Sequence, residues 1–185
     1  MLVHGVYYLD RLLEIMRTTS LYLARLSGLA ILLVVAIVTT EVVSRSLFGR
    51  SIGFSTEFSG YALALCVSWP LAHVLHRKAH IRIDVAYSMF PQVFRAILDI
   101  VALFAFGVIA FLMINASIGM VSVTYIQGDI ANTTLETPLW LPQSLWAIGF
   151  AWFGANLLVL LLRACVHLFG KNYNSINYLI GPDGD

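Results

Sequence analysis

IVALFAFGVIAFLMINASIGMVSVTYI, residues 100–126, carries no Asp, Glu, Lys or Arg. Wound as a helix at 1.5 Å per residue it is about 40 Å long, more than the roughly 30 Å of hydrocarbon in a bilayer. Residues 26–40, 58–75 and 137–162 are equally free of charge, and each, with its flanks, is long enough to cross. The sequence therefore predicts an all-α membrane protein with four transmembrane helices. Its eleven Lys and Arg residues are sorted between the gaps. Arg11, Arg17 and Arg25 precede the first run; Arg77, Lys78, Arg82 and Arg95 lie between the second and third; Arg163 and Lys171 follow the fourth. Only Arg45 and Arg50 follow the first run, and no base follows the third before the fourth begins. The positive-inside rule then puts both termini and the middle loop in the cytoplasm.

Composition agrees. With 59% hydrophobic and 11% charged residues and a mean hydropathy of +0.85, a soluble domain of this size has nowhere to place its apolar surface. Once four spans are subtracted from 185 residues, no room remains for a soluble catalytic domain. The net charge of +1 argues neither for nor against nucleic acid, but no basic tract interleaved with aromatics suggests it. Cys66 and Cys165 fall inside apolar runs, where a thiol acts as a small apolar residue, so no disulfide is expected. The first run lacks a small-residue cleavage site before Glu41 and reads as a retained span.

The chain divides into an amphipathic interfacial helix over residues 1–20, a four-helix domain over 21–170 and a polar tail over 171–185. In the leader, Val6, Leu9, Leu12, Leu13 and Met16 recur at helical spacing opposite Asp10, Arg11, Glu14 and Arg17. It suits the bilayer surface, or else a partner's soluble loop. Span one covers about 21–47, with Arg25 snorkelling to the headgroups. Glu41 and Arg45 are four apart and can pair, or meet a partner protein. Span two covers about 56–76, with Ser55 as its expected N-cap and Glu57 favoured in its first turn by the helix dipole. Pro70 removes a backbone donor deep in that span, which predicts a kink. His73, His76 and His80 are spaced to share one helix face. A metal or haem site is one reading; contact with the interface or with lipid phosphate, alongside Arg77, Lys78 and Arg82, is the favoured one.

Span three covers about 95–126, with Arg95 and Asp99 one turn apart. Asn115 is its strongly polar mid-depth residue, and Ala116, Ser117 and Gly119 beside it would let another helix approach and bond the amide. The loop that follows carries Asp129 and Glu136 and no base. Pro138 and Pro142 suit the start of span four, about 138–168, with Trp140 and Trp146 at the outer interface. Ala147, Ala151 and Ala155, with Gly154, form a small-residue stripe on that span. No phosphate-binding glycine loop, metalloprotease motif, serine elbow or pair of mid-depth carboxylates appears, so neither an enzyme nor a cofactor is expected.

The chain resembles the small membrane subunit, often called DctQ-type, of the tripartite ATP-independent periplasmic (TRAP) transporters. The resemblance runs from the leader through span four and rests on Glu41-Val42-Val43-Ser44-Arg45, on Glu57, and on His80-Ile81-Arg82-Ile83-Asp84. The last is similar to the family's pattern of His, aliphatic, variable, aliphatic, Asp. The chain departs from the family in having Phe54-Ser55-Thr56-Glu57 where Trp and two adjacent acids are frequent, and Pro70-Leu71 where a small residue is common. The resemblance implies a multi-pass subunit of the bacterial inner membrane, permanently paired with a large multi-span TRAP subunit. That larger subunit carries an organic anion with sodium, delivered by a transient periplasmic substrate-binding protein. Asn115, Gly119, Ala147, Ala151, Gly154 and Ala155 are then expected at the large-subunit interface, and Arg45, Arg50, Asp129 and Glu136 at the binding protein. Glu41, Glu57, His80 and Asp84 would be family-motif or structural residues, and Arg77, Lys78 and Arg82 lipid contacts. The alternative is a haem- or quinone-binding anchor of a respiratory enzyme, with His73, His76 or His80 as axial ligand.

Overall fold

The computed structural model describes residues 2–49, 53–77, 91–133 and 135–169, leaving aside the side chains of residues 2–8, 92 and 169. Among the described residues five helices follow one another: α1 Leu2–Phe48, α2 Ser55–Ser68, α3 Leu71–His76, α4 Gln92–Gln127 and α5 Trp140–Phe169. Four segments are long and apolar enough to cross a membrane, Leu9–Phe48, Ser55–His76, Val93–Gln127 and Trp140–Leu168. Among the described residues the only strand-like pairing is one isolated antiparallel bridge, Ile130 to Pro138. The fold is all-helical with four spans, as the charge-free runs require.

The leader and first span are a single helix of 47 residues, with no break at residue 20 where the sequence reading sets a boundary. The physical reason is local: residues 2–48 contain no proline, and their glycines, Gly5 and Gly28, stand eight residues or more from that boundary. Tertiary packing reinforces it. Leu13, Met16, Ser20, Ser27 and Glu41 are buried, a heptad-spaced stripe that continues across the expected boundary and suits left-handed packing on neighbouring helices. Buried hydroxyls on such stripes are satisfied within their own helix. Ser20 Oγ donates to Met16 O at 2.7 Å, Ser68 Oγ to Ala64 O at 3.0 Å and Ser117 Oγ to Met113 O at 2.8 Å. Small residues can then face another backbone without an unpaired polar group.

Pro70 interrupts span two as its chemistry demands, dividing it into α2 and α3. Trp69 (φ −72°, ψ −36°) and Pro70 (φ −73°, ψ −15°) both stay in the right-handed region, so the helix is interrupted without reversing direction. Helical bonding resumes with Val74 N donating to Pro70 O at 2.9 Å. Ser55, the expected N-cap, is instead the first helical residue. Phe54 occupies the cap position and makes no side-chain capping bond.

The α4–α5 pair is the most extensive in the bundle. On α4, buried Ala96, Leu103, Ala110, Ser117 and Thr124 recur every seventh residue. Packed in one core with Ala96, Leu103 and Ala110 are Phe153, Leu157, Leu160 and Ala164 of α5. α4 ends at Gly128, whose φ of +67° is the left-handed conformation that glycine adopts freely. The core joins Leu13, Ala72, Leu75, Ala96, Leu103, Phe153 and Leu160. Arg163 on α5 pairs with Asp10 on α1, so the first and last helices meet where the chain starts and where α5 ends. We call this the termini end; the α1–α2 and α4–α5 connections lie at the opposite, hairpin end.

Candidate functional site

At the hairpin end one carboxylate organises the α4–α5 connection. Glu57, in the first turn of α2, is only 5% exposed. Tyr61 Oη, one turn on, donates to its Oε1 at 2.5 Å, and Thr133 Oγ1 of the connecting loop donates to its Oε2. Thr137 adds a side-chain and a backbone contact to the same group. The loop is further closed on itself, with Ala131 N donating to Thr137 O at 2.9 Å and Leu139 N to Asp129 O at 3.0 Å. Sequence reasoning explained Glu57 by the helix dipole alone, because the two threonines lie about 76 residues away in the chain. The nearby i,i+4 pair has the spacing expected, with Arg45 Nη2 3.2 Å from Glu41 Oε1. Glu41 is buried and Arg45 points outward with its side chain 68% exposed. Glu136 is exposed and Asp129 half-buried at this same end; Arg50 lies outside the described residues.

A second polar set crosses the interior. Asn156 is fully buried on α5. Its Oδ1 lies 2.7 Å from His76 Nε2 of α3, and its Nδ2 donates to Trp152 O at 2.7 Å. With the amide nitrogen committed to a carbonyl, His76 is the donor in that contact. Trp152 Nε1 in turn donates to Ser20 Oγ of α1 at 3.0 Å. Three helices are thus tied by hydrogen bonds in the half of the bundle nearer the termini. Trp69 adds a third interhelical tie, its indole donating to Leu145 O at 2.9 Å. The backbones come close there: a Cβ at Gly149 would sit 2.6 Å from Ser68 Oγ and 2.7 Å from Trp69 Cδ1.

This arrangement bears on the histidines. His76 faces Asn156, with His73 and Arg17 near enough to act on it electrostatically. His80 lies outside the described residues, as do Lys78, Arg82 and Asp84. Among the described residues no group of three or more His, Cys, Asp or Glu is placed to hold a metal ion. Both cysteines are free, and Cys66 Sγ donates to Ser27 O at 3.1 Å. Arg77 is exposed at the end of α3.

Of the residues expected at a partner interface, Asn115, Gly119, Ala151 and Ala155 fall on outward faces; Gly154 instead packs on α4, since a Cβ there would sit 2.7 Å from Ile114 Cδ1. Asn115 and Gly119 are exposed on α4, and Ala151 and Ala155 on α5, while Ala147 and Gly154 are half-buried. Among the described residues Asn115 bonds no other helix; the buried position beside it is Ser117. Around Asn115 the outward surface is apolar, with Phe111, Leu112, Ile118 and Met120 exposed.

The profile of the family described as "Tripartite ATP-independent periplasmic transporters, DctQ component" matches residues 34–167. The chain belongs to the DctQ family. It is also similar to a protein described as a putative TRAP transporter small permease protein from Haemophilus influenzae, 27% identical over 143 residues, covering 77% of this chain and 81% of that one. No solved structure matches the chain. The DctQ-matched region takes in Glu41, Arg45, Glu57, His76, Asn115 and Asn156, so both polar sets described above lie largely within it. Asp10 and Ser20, the α1 contributions at the termini end, precede it.

Proposed function

We propose that this DctQ chain is the small permease subunit of a TRAP transporter, bracing a large multi-span subunit in the bacterial inner membrane. Both termini face the cytoplasm in this reading, in keeping with the distribution of Lys and Arg. The partner carries an organic anion with sodium after a periplasmic substrate-binding protein delivers it. The observation that carries the bracing role is Asn115. A carboxamide midway along a span, exposed on a face of Phe111, Leu112 and Ile118, is poorly solvated by lipid and well served by a neighbouring helix. Gly119, one turn further, lets that helix come close. The Ala151–Ala155 face of α5 offers a second small-residue approach.

Physically, a brace of this kind helps by keeping one part of the transporter still while another moves. The ties from Ser20 through Trp152 and Asn156 to His76 suit such a rigid element. The exposure of Arg77 at the end of α3 supports a role for it in meeting anionic headgroups. The test is reconstitution into liposomes under a sodium gradient. Uptake is expected only when this chain, the large subunit and the loaded binding protein are present together. Uptake by this chain alone, or full-rate uptake without it, would reject the reading.

A further inference from the structure

Charged side chains of α1 stand at levels where its neighbours carry none. Arg11, Glu14, Thr18 and Arg25 are exposed on the face turned away from buried Leu13, Met16, Ser20 and Ser27, and exposed Arg17 lies beside them. Contacts between helices fix their level. Asp10 meets Arg163 and Ser20 meets Trp152, so α1 and α5 run antiparallel and nearly in step. Cys66 Sγ of α2 donates to Ser27 O. Arg25, two residues before Ser27, is therefore level with Ser68, two residues after Cys66, and Ser68 lies against Gly149 of α5. By the same register Arg17 is level with about residue 155 of α5. Both arginines thus stand beside the uncharged runs 58–75 and 140–162.

In a bundle standing upright, Arg17 and Arg25 would project from its flank among acyl chains, where a guanidinium is unfavourable. Snorkelling alone does not rescue Arg25, which is ~22 Å along the helix from Asp10. The stagger is resolved if the bundle is inclined toward α1. Among the described residues α1 packs on α2, α3 and α5, whereas α4 packs extensively on α5 alone, so α1 and α4 occupy different flanks. A guanidinium on the outer face of α1 is one helix spacing and one side-chain length from the α5 axis, ~17 Å in all. With α1 undermost, an inclination of about 40° brings that group about 11 Å closer to the headgroups. Arg17 then leaves the hydrocarbon, and Arg25 comes within snorkelling reach of its surface. The uncharged run 100–126 of α4 independently calls for the same inclination, being about 40 Å long against roughly 30 Å of hydrocarbon.

We infer that the bundle lies inclined by about 40° with α1 undermost, its stripe of Arg11, Glu14, Thr18 and Arg25, with Arg17 alongside, seated on the phosphates of the cytoplasmic phospholipid headgroups. Three bases against one acid suit that anionic layer. Only the word cytoplasmic is taken from the proposed topology. The inclination itself rests on register and charge, so it stands or falls apart from the transport reading.

Spin labels at Thr18→Cys and Met113→Cys test it, in the full chain with Cys66 and Cys165 replaced by alanine. The two sites are level, since Thr18 stands beside the same part of α5 that Ile114 of α4 approaches at Gly154. The chain is placed in nanodiscs of phosphatidylcholine with phosphatidylglycerol as the minor lipid, alone and with the large subunit. Relaxation by a water-soluble nickel complex and by oxygen reads the depth of each label. For the chain alone, the Thr18 label is expected about 10 Å nearer the headgroups than the Met113 label, which lies in hydrocarbon. The Thr18 label is expected to stay open to the nickel complex when the large subunit is present. Ile15→Cys, also on the exposed side, serves if the first variant does not incorporate. Equal depths for the two labels overturn the inclination. A Thr18 label shielded from both reagents by the large subunit shows that protein covers the stripe, and overturns its seat on lipid. A bundle found upright leaves the uptake test of the transport reading untouched, and failure of that test leaves the label depths untouched.

Discussion

Replacing Gly149 with alanine adds one methyl group where α5 lies close against the end of α2. The new Cβ would stand 2.6 Å from Ser68 Oγ, 2.7 Å from Ser68 Cβ and 2.7 Å from Trp69 Cδ1. Contacts between carbon atoms are comfortable at about 3.5–4.0 Å, so α2 and α5 must separate by about 1 Å. Neither neighbour yields easily, since Ser68 is fully buried and the Trp69 ring is fixed by its bond to Leu145 O. Overpacking of this kind costs roughly 1–3 kcal/mol, and the alanine returns about 1 kcal/mol through better helix propensity. The net expectation is a loss of about 0–2 kcal/mol, a fall of up to roughly 8 °C in the melting midpoint for a chain of this size, and about 1–3 kcal/mol relative to a glycine-to-alanine change that meets no neighbour. Thermal unfolding in detergent, followed by the near-ultraviolet signal of the tryptophans, reads it directly. Gly107→Ala is the matched control, because a Cβ there meets nothing within 4 Å, and that variant should be neutral or slightly stabilised. If Gly149→Ala melts with Gly107→Ala, the close approach of α2 and α5 is wrong.

Three further substitutions probe the other contacts. Asn156→Leu should destabilise the bundle by about 1 kcal/mol, the usual scale for interhelical hydrogen bonds in membranes, and combining it with His76→Leu should cost less than the two separate losses added. Strict additivity in that double-mutant cycle would show that the two side chains do not interact. Asp10→Asn should lower stability by no more than about 1 kcal/mol, because its ion pair with Arg163 is partly open to solvent. A multi-degree drop in melting would mean that the leader is clamped more firmly than this contact allows. Leucine at both Ala151 and Ala155 should leave the isolated chain folded and weaken its recovery with the large subunit by tenfold or more. Undiminished co-purification would remove that face from the interface.

The four spans were legible because lipid imposes a simple rule: a helix that crosses it carries a long uncharged run, and residues 100–126 satisfy that rule unaided. Pro70 was legible for the same kind of reason, since a missing donor acts within one helix. So was the spacing of Glu41 and Arg45. What sequence did not disclose depends on register between helices. Asn156 and Trp152 are visible as polar or amphipathic side chains on span four, yet nothing in their spacing says that His76 and Ser20 stand opposite. Gly149 gave no signal at all, because Ala147, Ala151 and Ala155 make a more conspicuous small-residue pattern, of which Ala151 and Ala155 face outward. The leader's amphipathic periodicity does not tell where one helix stops and another starts, and α1 runs unbroken through residue 20. The same periodicity arises when one continuous helix packs its stripe against neighbours, as Leu13 and Met16 do.

The shared seam between α4 and α5 sets how the molecule must sit in a membrane. Each contributes an uncharged helical run, 100–126 and 140–162, about 10 Å and about 5 Å longer, respectively, than the hydrocarbon it crosses. Because Ala96, Ala110 and Ser117 keep the two in contact along nearly their full length, neither can lean without the other. The excess is therefore taken up by slanting the pair as a single spar. Thinner bilayers steepen that slant and thicker ones relax it, so lipid chain length becomes a dial on the angle at which Asn115 meets its neighbour.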